Sequence, residues 1–203
     1  MKYRVMELSA PGSQKSQALL LRSIDVPNRY RHWKQEQERR LAALKGLGVP
    51  GTPREERFDV ITRLLARDFD VPISMISLVD DKRVWFKSAV GLEGIEEISR
   101  EITFCSHAIE AGHILVVEDA LIDQRFCDNP LVTGEMALWF YAGAVIRSSW
   151  REPLGAVCII DHRPRPMSYR DRRLLIDFAA YVAREMERSG DETMASSLAG
   201  ISQ

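Results

Sequence analysis

Apolar residues recur along the chain with two periods, and the places where the period changes mark its elements. Phe58, Ile61, Leu65 and Phe69, with Leu64 beside them, fall at helical spacing and predict a core helix over 53–68. Thr52-Pro53-Arg54-Glu55 reads as its start: Thr52 as cap, Pro53 at the first helical position, Glu55 completing a capping box. Earlier, Trp33, Leu41 and Leu44 share one face of a helix over 33–45, which Gly46 and Gly48 stop. Its other faces carry Glu36, Glu38, Arg39 and Arg40, so this helix is expected to pair with a copy of itself or to lie against the domain.

From residue 73 the period shortens to two. Ile73 to Val79 and Val84 to Val90 read as strands joined by a turn at Asp80-Asp81-Lys82, a hairpin. Both faces of the first strand are mainly apolar, which predicts a sheet covered on both sides. On the second, Trp85 and Lys87 are expected on one face, Phe86 and Ser88 on the other. A polar connection, Gly91 to Arg100, follows. Thr103 reads as the cap of a short helix to about Ala111, followed by a strand over His113 to Val117. Glu118 to Glu135 reads as a long loop or short-helix region, and long loops in compact domains are often functional. Phe140 to Ile146 and Leu154 to Ile160 are two central strands. Ser168, with Asp171 three residues on, caps a last helix whose apolar stripe is Leu174, Leu175, Phe178, Tyr181 and Val182. The pattern predicts an α+β domain over 33–188: a central antiparallel β-sheet with helices on one side. Residues 1–32 read as a flexible arm, with Leu19 to Leu21 as a candidate docking patch, and 189–203 as a flexible tail.

Composition narrows the classes. The 203 residues are 45% hydrophobic and 28% charged, as in an ordinary globular protein. A net charge of -1 gives no global drive toward nucleic acid or an anionic membrane, and no partner of either kind is expected. No apolar run is long enough to span a bilayer, and the N-terminus lacks a secretion signal. Three cysteines, Cys105, Cys127 and Cys158, do not suggest a disulfide framework; a reducing, cytoplasmic compartment is the expectation.

Several blocks in order resemble the GAF domain family of small-ligand sensor modules: TPREERFDVITRLLARDFDVPISMISLVDDKRVWFKSAVGL, ITFCSHAI, VVEDALIDQRFCDNPLVTG, FYAGAVI and LGAVCIID, over roughly Leu41 to Glu185. The resemblance implies a sheet with the first and last helices on one face and a ligand pocket on the other. It also implies dimers through those helices. The N-K…F…D-E signature of the cyclic-nucleotide-binding members is not found. Nor is the context that attaches a bilin, since Ser106 separates Cys105 from His107. No cofactor is therefore named. Only a short segment follows the last helix's core, too short for a kinase, cyclase or phosphodiesterase domain. Signalling is thus expected to run through another chain.

The candidate chemistry lies between 103 and 161. The wall of a pocket would hold Cys105, His107, Asp119, Phe126, Cys127, Asp128 and Asn129. The expected ligand-binding residues are Trp85, Phe104, Cys105, His107, Asp119, Phe126, Asn129, Phe140 and Tyr141. Cys105 in the first turn of a helix sits where the dipole favours a thiolate, though a small buried Cys beside a structural His accounts for the same letters. A zinc site from Cys105, His107, Cys127 and His113 has no supporting spacing. Asp119, Asp123, Asp128 and Glu135 lack the spacing of a calcium loop and read as turn carboxylates. Small residues fall on both faces of 140–146, leaving room for a ligand or for a closely packed helix.

Three functions remain. One is a non-catalytic small-molecule sensor or signalling-interaction module acting on a partner protein or as a homodimer. The second resembles the GAF-type free methionine sulfoxide reductases and would use Cys105 and Cys127; those enzymes carry a further cysteine before the helix, and Gly91 to Ile102 has none. The third is a structural dimerisation module. The first is the reading adopted.

Overall fold

The computed structural model describes residues 26–49 and 51–200, with side chains for 28–49 and 51–188. The candidate docking patch at Leu19 to Leu21 lies outside the described residues. Helix α1 spans Val26–Gly46, beginning inside the stretch read as an arm, and α2 spans Glu56–Asp68. Strands β1 (Ile73–Val79), β2 (Arg83–Val90) and β3 (Glu97–Ser99) follow. A 3₁₀ turn over Arg100–Ile102 leads into α3 (Phe104–Glu110) and β4 (Ile114–Val117). The long loop holds one short helix, α4 (Pro130–Thr133). Strands β5 (Phe140–Arg147) and β6 (Pro153–Asp161) precede α5 (Tyr169–Gly200). The last helix thus continues through residues read as a tail.

The six strands form one antiparallel sheet in the order β3-β2-β1-β6-β5-β4. Every residue of β1 is buried, as a sheet covered on both faces requires. One face packs under α2, α5 and the C-terminal end of α1, with Leu44, Phe58, Leu65, Leu175 and Val182 in that core. The other face carries α3 and the 118–139 loop, with Phe104, Phe126, Leu131, Tyr141 and Cys158. The architecture is the α+β sheet with helices that the alternation predicted.

Four local expectations change. α2 starts at Glu56, and its flanking Glu55 makes no side-chain cap bond. The cause is Lys87, fully buried on β2. Its Nζ donates to Thr52 Oγ1 (2.6 Å) and the Pro53 carbonyl (2.8 Å) and pairs with Glu55 Oε1 (2.6 Å). A desolvated ammonium needs those oxygens more than a helix terminus does. Second, a bulge opposite Ile76/Ser77 leaves Lys87 outside the register. Ser88 therefore turns to the same side as Lys87, where its Oγ meets Thr62 Oγ1 (2.8 Å) and Asp59 Oδ1 (2.5 Å). Third, α5 buries Leu175, Ala179, Val182, Ala183 and Met186, while Leu174 and Tyr181 from the expected stripe are 39% and 46% exposed. Fourth, Trp33 is exposed, while Leu44 of the same expected stripe is buried. The Thr103 and Ser168 caps form as read: Thr103 Oγ1 accepts from the Ser106 amide (3.2 Å) and Ser168 Oγ from the Asp171 amide (3.1 Å).

Candidate functional site

α3 begins at Phe104 because Thr103 caps it and Ser106 Oγ donates to the Arg100 carbonyl (2.6 Å), fixing the first turn against the preceding 3₁₀ turn. That turn lies on the sheet face away from α2 and α5. Between them is a cavity of about 30 Å³. None of its lining residues carries a formal charge, and Met75, Phe86, Ile95, Leu131, Met136 and Tyr141 are among them. Ile95 is also 38% exposed, so the cavity wall reaches the surface there.

An aromatic stack fills the space beside the cavity. The Phe104 ring lies between Phe126 (4.2 Å between centroids) and Tyr141 (5.0 Å). Behind it, four polar side chains meet at the centre of the sheet. Cys105 Sγ and Cys158 Sγ are 3.7 Å apart. The Tyr141 hydroxyl lies 3.2 Å from Cys158 Sγ and donates toward Cys105 Sγ at 3.6 Å. Ser77 Oγ donates to the Ala156 carbonyl (3.0 Å) and lies 3.9 Å from Cys158 Sγ. Hydrogen bonding from Cys158 holds the Cys105 thiol below its ordinary pKa despite burial. Burial pushes both Cys158 and Tyr141 well above theirs.

Of the nine residues expected to bind a ligand, Phe104, Cys105 and Tyr141 line the cavity. Phe126 is buried against Phe104, and exposed His107 meets the Phe126 ring edge-on at 5.0 Å. Asn129 is structural: its Oδ1 caps α4 through the Leu131 amide (2.8 Å) and its Nδ2 donates to the Ile102 carbonyl (2.8 Å). Asp119 Oδ1 accepts from the Leu121 amide (3.0 Å), a turn role. Phe140 faces the α2–α5 core, one residue out of phase with Tyr141. Trp85 likewise packs toward that core and lines a separate groove of about 520 Å³ along the β2 edge. Asp128 is exposed. Cys127 is half-buried, bonds through its amide to the Asp123 carbonyl (2.9 Å) and is not among the cavity's walls. The sulfur that meets Cys105 belongs to Cys158 on β6, which is not among the expected site residues. Met75 and Phe86 were also missed, although each occupies the cavity-side phase of its strand. Among the described residues, no three His, Cys, Asp or Glu side chains converge as a metal would require. No described helix is long and apolar enough to cross a membrane.

A sheet with terminal helices on one face and a capped short helix with its loop on the other defines an α+β module. The GAF domain family model matches residues 53–186, and the chain belongs to that family. It is 37% identical over 149 residues to a cyclic di-GMP phosphodiesterase of Pseudomonas aeruginosa, a match covering 73% of this chain. The match spans only 25% of that relative's length. The GAF domain of a phosphoenolpyruvate-protein phosphotransferase from Coxiella burnetii superposes with a TM-score of 0.59 at 15% identity, covering 78% of this chain and 98% of that one. The free methionine-R-sulfoxide reductase of Neisseria meningitidis, solved with its substrate, gives a TM-score of 0.54 at 14% identity, covering 67% and 78%. At such identities the two structures speak for the fold alone.

Proposed function

We propose that this GAF domain is a non-catalytic regulatory module. It takes a small uncharged molecule into the cavity beside α3 and passes the change through the sheet to the terminal helices. The observation that carries the reading is the cavity itself: lined by uncharged side chains, placed on the face away from those helices, and reaching the surface at Ile95. Its present volume holds only two or three water-sized molecules, on the scale of about 10–15 Å³ each. A larger ligand must displace its walls. Met75 and Met136 suit that role, since unbranched thioethers repack at low cost. The similarity to a cyclic di-GMP phosphodiesterase supports a place in cyclic di-GMP signalling as a regulatory part.

The output surface in this reading is an apolar groove between α2 and α5, with Val60, Leu64, Leu174, Phe178 and Tyr181 along it. A second copy of the chain is its proposed occupant. Arg57 and Asp177 at its margin are already paired within the chain, to Glu55 and Arg173, so the walls left for a second copy to cover are apolar.

The test is native mass spectrometry of protein purified from cells, followed by denaturing mass spectrometry of the same sample. A small-molecule mass retained natively and lost on denaturation is the expected result. A clean apo protein, with no retained mass even after incubation with cell extract, would overturn ligand sensing and leave an interaction module.

A further inference from the structure

We infer that Cys105 and Cys158 are a peroxide-reactive dithiol built into the cavity wall, with Cys105 as the attacking sulfur and Cys158 as the resolving one. The two sulfurs are 3.7 Å apart across 53 residues of sequence, one in the first turn of α3 and the other at the centre of β6. Both are free thiols. Their roles follow from position. Cys105 lines the cavity, whereas Cys158 does not and sits behind it, so a small oxidant in the cavity meets Cys105 first. At about 30 Å³ the cavity admits hydrogen peroxide but excludes bulky disulfides such as oxidised glutathione.

The surroundings favour that division. The Tyr141 hydroxyl donates toward Cys105 Sγ at 3.6 Å, and Cys158 Sγ lies 3.7 Å from it. These donors stabilise the anion that attacks. Cys158 is held as a neutral thiol by burial, which keeps it in reserve.

The chemistry balances with hydrogen peroxide as the oxidant. The Cys105 thiolate attacks one peroxide oxygen. An S–O bond forms, the O–O bond breaks, and the departing hydroxide takes up the proton Cys105 released, giving water. Cys158 then attacks the sulfenic sulfur. The S–S bond forms, the S–O bond breaks, and the second hydroxide leaves as water with the Cys158 proton. Two thiols lose two electrons and the peroxide gains them. The sulfurs must close from 3.7 Å to about 2.05 Å, which draws the first turn of α3 toward β6. Ser106 and Arg100 tie that turn to the β1–β2 connection, so the pull leaves the cavity as a change in backbone position. This step goes beyond ligand sensing and does not depend on it.

The test treats the folded, full chain with a small molar excess of hydrogen peroxide, then blocks free thiols and digests without reductant. Cleavage after Arg100, Arg125, Arg147 and Arg151 leaves the three cysteines on separate peptides. The expected product joins the Cys105 and Cys158 peptides, weighs two hydrogens less than the reduced pair, and is reversed by dithiothreitol. Cys127→Ser leaves the yield unchanged. Cys158→Ala, or Cys158→Ser should the first fold poorly, stops at a Cys105 sulfenic acid, which dimedone traps when it is added with denaturant after the peroxide has been removed. Oxidation confined to Cys127, a bridge that includes Cys127, or a Cys105–Cys158 bridge that forms only in denaturant would each overturn the inference. The wild-type peptide map decides this even if neither variant folds.

Discussion

Gly143 on β5 leaves the space that the Tyr141 ring occupies. A β-carbon at 143 would overlap the Tyr141 hydroxyl and come within 2.6 Å of its Cζ. The small residue therefore serves neither a ligand nor a packed helix; it lets the same strand fold its own aromatic side chain flat beneath Phe104. Gly143→Ala is expected to destabilise the domain by about 1–3 kcal/mol, the usual cost of overpacking a core. Tyr141→Phe in the Gly143→Ala background should recover part of this, because the hydroxyl is the nearest clash while Cζ remains close. A double-mutant cycle from urea melts reads the coupling. Strict additivity would show that the ring does not occupy this space.

How much of this was legible in the sequence depends on the range of the forces involved. α2, the β1–β2 hairpin and the two central strands are local periodicities, and they stand where the pattern put them. The cap at Thr52 failed because Lys87, distant in sequence, claims the same oxygens. β3 escaped notice because Glu97–Ser99 is only three residues long and has no apolar run. In the site, alternation separates Phe140 from Tyr141 but does not say which side of β5 faces α3. That choice is made by the sheet's neighbours. Cys158 lies in the core, and its partnership with Cys105 exists only after α3 has packed on β6.

Lys87 gives a pH-dependent prediction. Burial raises the Glu55 carboxyl, but hydrogen bonds from Lys87 and Arg57 outweigh this and hold it below its ordinary value. A carboxylate with a depressed folded pKa contributes stability that is present above its unfolded value, about 4.5, and lost as pH falls through the folded value. Asp59 acts in the same direction, as Ser88 and Arg54 outweigh its burial. Lys87→Met removes the Lys87 share of the Glu55 contribution and leaves the shares of Arg57 and of Asp59. The variant should lose about 1–3 kcal/mol at neutral pH, because Thr52 Oγ1 and the Pro53 carbonyl lose a charged donor while part-exposed Glu55 keeps Arg57. Its stability should also fall less steeply than wild type between neutral pH and pH 3. Equal slopes would show that Glu55 does not sense Lys87.

Arg40 joins the end of α1 to the sheet. Its buried guanidinium donates to the Val79 carbonyl and, at 3.5 Å, to the Asp80 carbonyl. Burial, with a smaller push from Arg100, lowers its pKa to about 10. Arg100 reaches the same Asp80 carbonyl at 3.3 Å, so the helix and the entrance to α3 share one acceptor. Arg40→Met keeps the buried stem but strips the Val79 carbonyl of this donor, at a cost of about 1–3 kcal/mol. Hydrogen exchange should quicken at the C-terminal end of α1 and in the 80–82 turn, while β5 and β6 keep their protection. Uniform loss of protection would show that Arg40 supports the whole core rather than this junction.

The groove between α2 and α5 sets exposed apolar side chains beside buried ones on the same helix. Val60, Leu174 and Tyr181 are 40%, 39% and 46% exposed, whereas Leu175 and Val182 on the same α5 are buried. If a second copy covers the groove, a charge placed there should abolish association without unfolding the protomer. Leu174→Glu suits this purpose, since the carboxylate can reach water in a monomer but not in a closed pair. Sedimentation velocity is expected to show a dimer for the wild-type chain and a monomer for Leu174→Glu, with melting of the isolated protomer changed by less than about 0.5 kcal/mol, as for surface substitutions generally. Val60→Glu, on the opposite wall, should act alike, because a two-fold interface uses both walls twice. A wild-type chain that stays monomeric at high micromolar concentration would remove the second copy as occupant. A Leu174→Glu chain that remains dimeric would move the interface elsewhere on the helical layer.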